Sequence, residues 1–264
     1  DANNRDIDIG PGGLVITANG DVLSTFTPRL TTEGDFTLNK ILTNRDFEVR
    51  VDGSGSEIIT GTGSLGWLNV QTNTTTTGNI TITFKLTGPL QRLINGSTGY
   101  LIYSGTTANM DTDVLDLTTT GNTIEFSQTT TDAPDFNIQK PSNTFYNLII
   151  SGDAPKYYNG DITINGDLTI TPTGVLSNQN SKGITLYGNW TNSNGAAGFV
   201  PNACNTCTVI FQGGNAQTVT NASGENFHRV EVNKTAGTTV TAANNLVIDN
   251  RLLMTQGNLD VGSN

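Results

Sequence analysis

The chain has little of what most enzymes and nucleic-acid binders depend on. Among 264 residues there is one histidine, there are two cysteines, aromatic residues make up 7% and charged residues 14%. The 13 basic residues are outnumbered by 23 acidic ones, giving a net charge of -10. Such a chain repels polyanions, so we expect no nucleic-acid partner. Apolar runs long enough for a membrane helix are also missing, so we expect no membrane insertion.

Three residue types dominate instead: 44 threonines, 32 asparagines and 30 glycines. Threonine favours strands, whereas asparagine and glycine tolerate the backbone of tight turns. No apolar stripe with a period of 3.6 residues is sustained. The composition therefore predicts an all-β protein built from many short strands and turns.

Three blocks recur in the second half at one period. TIEF at 123–126 returns as TVIF at 208–211, TFYNLII at 144–150 as NFHRVEV at 226–232, and the segment 161–178 as 245–262. The offsets are 82 to 85 residues, and apolar residues alternate within the blocks. Strands this short gain stability by stacking, so we predict a β-solenoid, similar to a right-handed β-helix, with repeats of about 83 residues and about four coils each. A string of β-sandwich domains is the rival architecture.

This reasoning divides the chain at residue 120. Residues 121–264 are predicted to be solenoid repeats, the last of them truncated, so that the chain is expected to belong to a longer protein. Residues 1–120 show strand-like runs without a clear period. They are expected to form either an N-terminal β-sandwich or irregular capping coils of the same solenoid.

The repeat resembles those of very large surface proteins of the Bacteroidota. The resemblance rests on Phe145, Tyr146, Asn147 and Leu148, and on the segment 188–190, Gly-Asn-Trp. Those proteins are exported by the type IX secretion system, and some are adhesins for gliding or attachment. The resemblance implies an extracellular structural or adhesive module, with other repeats of the same protein, surface polysaccharide or secretion components as partners.

Two alternatives remain from different classes. One is a carbohydrate-active β-helix enzyme, a polysaccharide lyase or hydrolase, which needs clustered carboxylates. The other is a secretion cargo or a subunit that assembles end to end into filaments. We expect no enzymatic activity and no catalytic residue, because the only histidine, His228, aligns with Tyr146 in the preceding repeat block.

Candidate binding residues are few. Asp111, Asp113 and Asp116 form the densest acidic cluster and support a calcium hypothesis, although they match no known calcium loop. No other cofactor is expected. Cys204 and Cys207 predict a local disulfide, which suits an extracellular protein. The indole rings of Trp67 and Trp190 either stack on sugars or pack in the core.

Overall fold

The structure is a computed structural model. It describes residues 7–9, 14–16, 29–32, 34–39, 41–42, 48–51, 57–61, 64–65, 67–70, 79–82, 85–86, 92–95, 100–104, 114–129, 135–136, 144–158, 160–178, 181–201 and 204–262. Secondary structure in these residues consists of strands and one turn of 3-10 helix, which confirms the all-β prediction. The described part of the chain holds no helix that is both long enough and apolar enough to span a membrane.

The strands are short, most of them two to four residues. Those before residue 120 are β1 (Ile7–Ile9), β2 (Leu14–Ile16), β3 (Arg29–Thr32), β4 (Phe36–Leu38), β5 (Ile41–Leu42), β6 (Glu48–Val51), β7 (Glu57–Thr60), β8 (Ser64–Leu65), β9 (Trp67–Val70), β10 (Asn79–Ile82), β11 (Lys85–Leu86), β12 (Arg92–Asn95), β13 (Tyr100–Tyr103) and β14 (Val114–Asp116).

The strands after residue 120 include the two longest. They are β15 (Thr123–Phe126), β16 (Asp135–Phe136), β17 (Thr144–Phe145), β18 (Asn147–Ile150), β19 (Lys156–Tyr158), β20 (Ile162–Ile164), β21 (Leu168–Ile170), β22 (Leu176–Asn178), β23 (Ile184–Leu186), β24 (Trp190–Asn192), β25 (Phe199–Val200), β26 (Thr208–Gly213), β27 (Gln217–Thr220), β28 (Glu225–Lys234), β29 (Thr239–Ala242), β30 (Leu246–Gln256) and β31 (Asn258–Asp260). The 3-10 turn spans Gly195–Ala197.

Every strand pairing among the described residues is parallel, and the strands stack as a β-solenoid. The long sheet has twelve strands in the order β2-β4-β7-β10-β13-β15-β18-β21-β24-β27-β29-β31. A second face consists of two six-stranded sheets, β1-β3-β6-β9-β12-β14 and β17-β20-β23-β26-β28-β30, which are linked by a parallel bridge between Leu117 and Phe145. The third face holds β5-β8-β11 and β16-β19-β22-β25. A full coil therefore runs through three faces, as in β20, β21 and β22.

The long sheet runs without interruption past residue 120. Leu101 of β13 faces Ile124 of β15, and Ile124 faces Leu148 of β18. Strands on both sides of residue 120 therefore belong to one sheet and share one core.

The period of about 83 residues is not confirmed. Thr123–Phe126 lies in the long sheet, whereas its sequence counterpart within Thr208–Gly213 lies on the second face. The unit that repeats in space is the single coil. Residues that are hydrogen-bonded to each other at the same corner of neighbouring coils are 20 to 29 residues apart in the sequence. Because coil length varies, no fixed sequence offset relates equivalent positions.

The core consists of columns of apolar side chains that point inward from successive coils. One column of the long sheet contains, in register, Leu101, Ile124, Leu148, Leu168, Trp190 and Val219. The first five have at most 1% of their surface exposed. Successive side chains along each strand point to opposite faces, so alternate residues join the buried column and the residues between them face solvent. The solenoid therefore presents regular outward columns of side chains.

Candidate functional site

The corner between the second face and the long sheet carries a ladder of polar side chains, here called the corner ladder: Thr123, Asn147, Asp167, Asn189 and Thr218. Asn147 Oδ1 accepts a hydrogen bond from the backbone N–H of Asp167 at 2.9 Å. Asp167 Oδ1 accepts from Asn189 N at 2.7 Å, and Asn189 Oδ1 accepts from Thr218 N at 2.9 Å. The side chains of Asn147, Asp167 and Asn189 thus each satisfy a backbone donor of the next coil.

A buried polar cluster interrupts the apolar core near the ends of β24 and β27. Glu225 is 3% exposed, and its Oε2 accepts hydrogen bonds from Trp190 Nε1 at 2.8 Å, Asn192 Nδ2 at 2.9 Å and Asn221 Nδ2 at 3.3 Å. Burial raises the pKa of Glu225, and these donors oppose that rise. The cluster links neighbouring coils through one carboxyl group.

The raised pKa of Glu225 predicts a pH dependence of stability. A carboxyl group with a raised pKa holds more protons in the folded state, so its contribution to stability is lost as pH rises through the folded-state pKa. In the Glu225→Gln variant this loss is absent. As the pH increases from 4 to 7, we expect the free energy of unfolding of the variant to rise relative to that of the native protein, measured by urea denaturation. A difference that stays constant over this range would contradict the assignment.

Lys156 is completely buried, and its ammonium group lies among backbone carbonyls. Nζ donates to Gln128 O at 2.8 Å, to Gly152 O at 3.0 Å and to Ser151 O. Burial lowers the pKa of Lys156 to about 8, although the negative charges of Asp153 and Glu125 act in the opposite direction. The side chain ties three backbone positions together at the cost of removing a charge from water.

Lys156 should make the protein more stable as pH rises from 8 to 10. In this range the unfolded chain, whose lysine pKa is about 10.4, binds more protons than the folded one. We expect a gain of about 1–2 kcal/mol relative to the Lys156→Met variant, after a reduction for solvent screening. The scan stops at pH 10 because the raised pKa values of Tyr100 and Tyr158 lower stability above it. Parallel stability curves for the two proteins would contradict the prediction.

A second buried lysine, Lys234, has an amide as its partner. Its Nζ donates to Gln217 Oε1 at 2.6 Å and to Gln212 O at 3.1 Å. Burial lowers the pKa of Lys234. Gln217 Nε2 in turn donates to Leu186 O at 3.0 Å and to Gly188 O, so one amide connects two coils.

An outward column of aromatic and amide side chains runs beside the corner ladder. Inward-facing Phe145, Ile164, Leu186 and Phe211 are in register on the second face. The residues that follow them, Tyr146, Asn165, Tyr187 and Gln212, form the next column, here called the Tyr–Asn column. Asn165 is exposed and the other three are half-buried. None of the four is charged.

No family model, curated protein or solved structure matches the chain.

The sugar-stacking hypothesis is wrong for Trp190. Its side chain is 0% exposed, and its ring lies edge to face with Phe199 at 5.0 Å and Phe227 at 4.9 Å between ring centroids. The core-packing alternative applies, and the indole N–H is used by Glu225. Trp67 lies in β9, and its side chain is outside the described residues.

Of the three aspartates in the calcium hypothesis, Asp116 lies among the described residues. Asp111 and Asp113 lie outside the described residues, whereas Asp116 ends β14 and is exposed. Its Oδ1 accepts hydrogen bonds from Thr118 Oγ1 at 2.8 Å and Thr118 N at 3.3 Å. Within the described ranges, no three histidine, cysteine or acidic side chains are grouped to hold a metal ion.

The predicted disulfide between Cys204 and Cys207 is present, and both residues are buried. Cys204 Sγ also accepts a hydrogen bond from Cys207 N at 2.8 Å. The bridge closes the loop between β25 and β26. This loop lies between the corner-ladder residues Asn189 and Thr218, which are further apart in the sequence than any other two successive residues of the ladder.

His228 and Tyr146 are not structural equivalents. His228 lies within β28, where the register with β30 shifts between Phe227 and Arg229, and its Nε2 is buried without a hydrogen-bond partner. Tyr146 instead connects β17 and β18. The alignment that paired them depended on the 83-residue offset, so it carries no argument about His228.

Proposed function

We propose that the chain is a structural and adhesive module of a large secreted cell-surface protein. The observation that carries the proposal is the uninterrupted twelve-stranded sheet, whose coils project repeating outward columns of side chains, among them the polar corner ladder. Twelve strands at the usual spacing between neighbours extend about 50 Å along the axis. Contacts can therefore be distributed along a stiff surface rather than confined to one cleft.

Stiffness is supported by three kinds of link between coils. Apolar columns fill the interior, the corner ladder connects backbone to side chain, and Glu225, Lys156 and Gln217 bridge neighbouring coils inside the core. Many such links must break together for one coil to separate from the next. A module built in this way suits a stalk that holds its surface away from the cell.

The extracellular location and the export route are part of the same proposal. A disulfide suits an oxidising environment. The resemblance of the sequence to repetitive surface proteins of the Bacteroidota supports type IX secretion and a role in attachment or gliding. Other repeats of the parent protein, surface polysaccharide and secretion components are the partners that this proposal includes.

The proposal assigns no catalytic residue. Two exposed carboxylates link neighbouring coils: Asp161 Oδ1 accepts a hydrogen bond from Gly183 N, and Asp167 Oδ1 accepts one from Asn189 N, both at 2.7 Å. Their roles are those of turn residues that cap the next coil.

The test is retention of coated beads under flow. Beads carrying the chain through a terminal tag are passed over glass, polysaccharide gels and bacterial cells, and beads carrying heat-unfolded chain serve as the control. We expect retention at a shear that removes the control beads. Equal removal of both kinds of bead from every surface would contradict an adhesive role.

A further inference from the structure

The Tyr–Asn column has the chemistry of a carbohydrate-binding surface. Tyrosine rings stack on the apolar faces of sugars, and amides offer both a donor and an acceptor to hydroxyl groups. In this column the two kinds alternate along the axis as Tyr146, Asn165, Tyr187 and Gln212. The order is set by the strand register, so the alternation is a property of the fold.

We propose that the Tyr–Asn column binds a linear, uncharged polysaccharide whose chain runs parallel to the solenoid axis. This inference rests on the proposed adhesive function and names its ligand class. Tyr146 and Tyr187 stack on alternate sugar residues, and Asn165 hydrogen-bonds the sugar between them. Gln212 extends the contact by one further coil.

The spacing of the two tyrosines fits such a ligand. Tyr146 and Tyr187 are two coils apart, which corresponds to about 10 Å at the usual distance between neighbouring strands. This matches the repeat of two sugars in an extended β-linked chain, in which alternate residues present equivalent faces. A ligand running across the coils in this way meets one side chain of the column per sugar.

The position of Tyr187 is supported by a glycine in the next coil. A methyl group on Gly213 would lie 3.0 Å from Tyr187 Cδ1, and Gly213 has a φ of 99°. The absence of a side chain at Gly213 leaves room for the ring against the backbone. A ring held in this way loses little conformational freedom on binding.

The charge of the surroundings selects an uncharged polysaccharide. The adjacent outward column on the same strands consists of Thr144, Thr163 and Thr185, which are in register and uncharged. The one acidic residue of the corner ladder, Asp167, accepts a hydrogen bond from Asn189 N. The chain as a whole has a net charge of -10, which disfavours an anionic polymer.

Affinity gel electrophoresis of the full chain tests the proposal. The probes are mixed-linkage β-glucan, hydroxyethyl cellulose and glucomannan, with alginate as the anionic control. We expect at least one neutral probe to retard the protein more than alginate does. The double variant Tyr146→Ala/Tyr187→Ala should bind that probe at least about tenfold more weakly. The control Tyr157→Ala, a half-buried tyrosine on the third face, should bind like the native protein.

A second variant guards against loss of folding. Asn165 is exposed, so Asn165→Glu puts a longer, charged side chain between the two rings without touching the core. We expect it to weaken binding at least about fivefold, with an unchanged circular dichroism spectrum. Native-like binding by both the double variant and Asn165→Glu, or no retardation by any neutral probe, would overturn the proposal.

The two proposals fail separately. If beads carrying the double variant are retained like native beads, the adhesive function stands and the assignment to the Tyr–Asn column falls. If the native protein binds a neutral probe in solution, the double variant binds it at least about tenfold more weakly, and native beads are not retained, the column binds sugar and the adhesive function falls.

Discussion

Replacing Trp190 with alanine is expected to lower the free energy of unfolding by about 3–5 kcal/mol. The indole ring is fully buried between Phe199 and Phe227, so its removal leaves a large cavity. It also removes one of the donors to Glu225, a buried carboxyl group that cannot recover the bond from water.

The effect of Trp190→Ala can be measured by urea denaturation followed by far-ultraviolet circular dichroism. The matched control is Thr191→Ala, the next residue along β24, which is half-buried and faces outward. It should change stability by no more than about 0.5 kcal/mol. A loss below about 1 kcal/mol in Trp190→Ala would show that the ring is not packed in the core.

Gly152→Ala is the second substitution with a large expected effect, about 2–5 kcal/mol. Gly152 has a φ of 67°, which costs an L-residue about 1–2 kcal/mol. In addition, a methyl group there would lie 2.3 Å from the backbone oxygen of Gln128, and relieving that clash costs about 1–3 kcal/mol. The shift would also disturb the carbonyl that accepts from Lys156.

Gly237→Ala separates the two contributions. Gly237 has a φ of 82°, but a methyl group there has no atom within 4 Å. It should therefore cost only the backbone term of about 1–2 kcal/mol. Thermal unfolding of both variants measures the difference, and equal melting temperatures would mean that the coils are not packed closely at Gly152.

Much of the fold could be predicted from local sequence. The alternation of Ile162, Ile164, Leu168 and Ile170 predicted short strands with one buried face, and all four side chains are buried. The shortness of the predicted strands correctly favoured stacked coils over sandwiches. The 83-residue period failed because strands of the same composition occur on different faces, and because corners accept insertions such as the disulfide loop between Cys204 and Cys207.

The direction of Trp190 was encoded in the residue before it. In the corner ladder the polar residue faces the corner and the next residue faces the core, as in Asn147-Leu148, Asp167-Leu168 and Asn189-Trp190. Composition alone leaves both stacking on sugars and packing in the core open for this tryptophan. Because Trp190 directly follows the ladder residue Asn189, its side chain points into the core.

The two tyrosines of the Tyr–Asn column could be located from the sequence, but the buried charges could not. Tyr146 and Tyr187 can be located in the same way as Trp190, since each directly follows an inward residue of the second face. The positions of Glu225 and Lys156 in the core cannot be predicted in this way. Burial of those charges depends on donors and acceptors from other coils, 33 residues away for Asn192 and 28 residues away for Gln128.

The outward columns exist only if the coils stack in the described register, and cysteine pairs test this directly. Ile102 and Glu125 face each other across residue 120, and Glu125 faces Ile149 of the following coil. Neighbouring strands are about 4.8 Å apart, within the range of a disulfide, and strands two coils apart are not. We predict that Ile102→Cys/Glu125→Cys oxidises to a disulfide and that Ile102→Cys/Ile149→Cys does not, as read by mass spectrometry after proteolysis. The opposite pattern, or no bridge in either protein, would contradict the stacked-coil register.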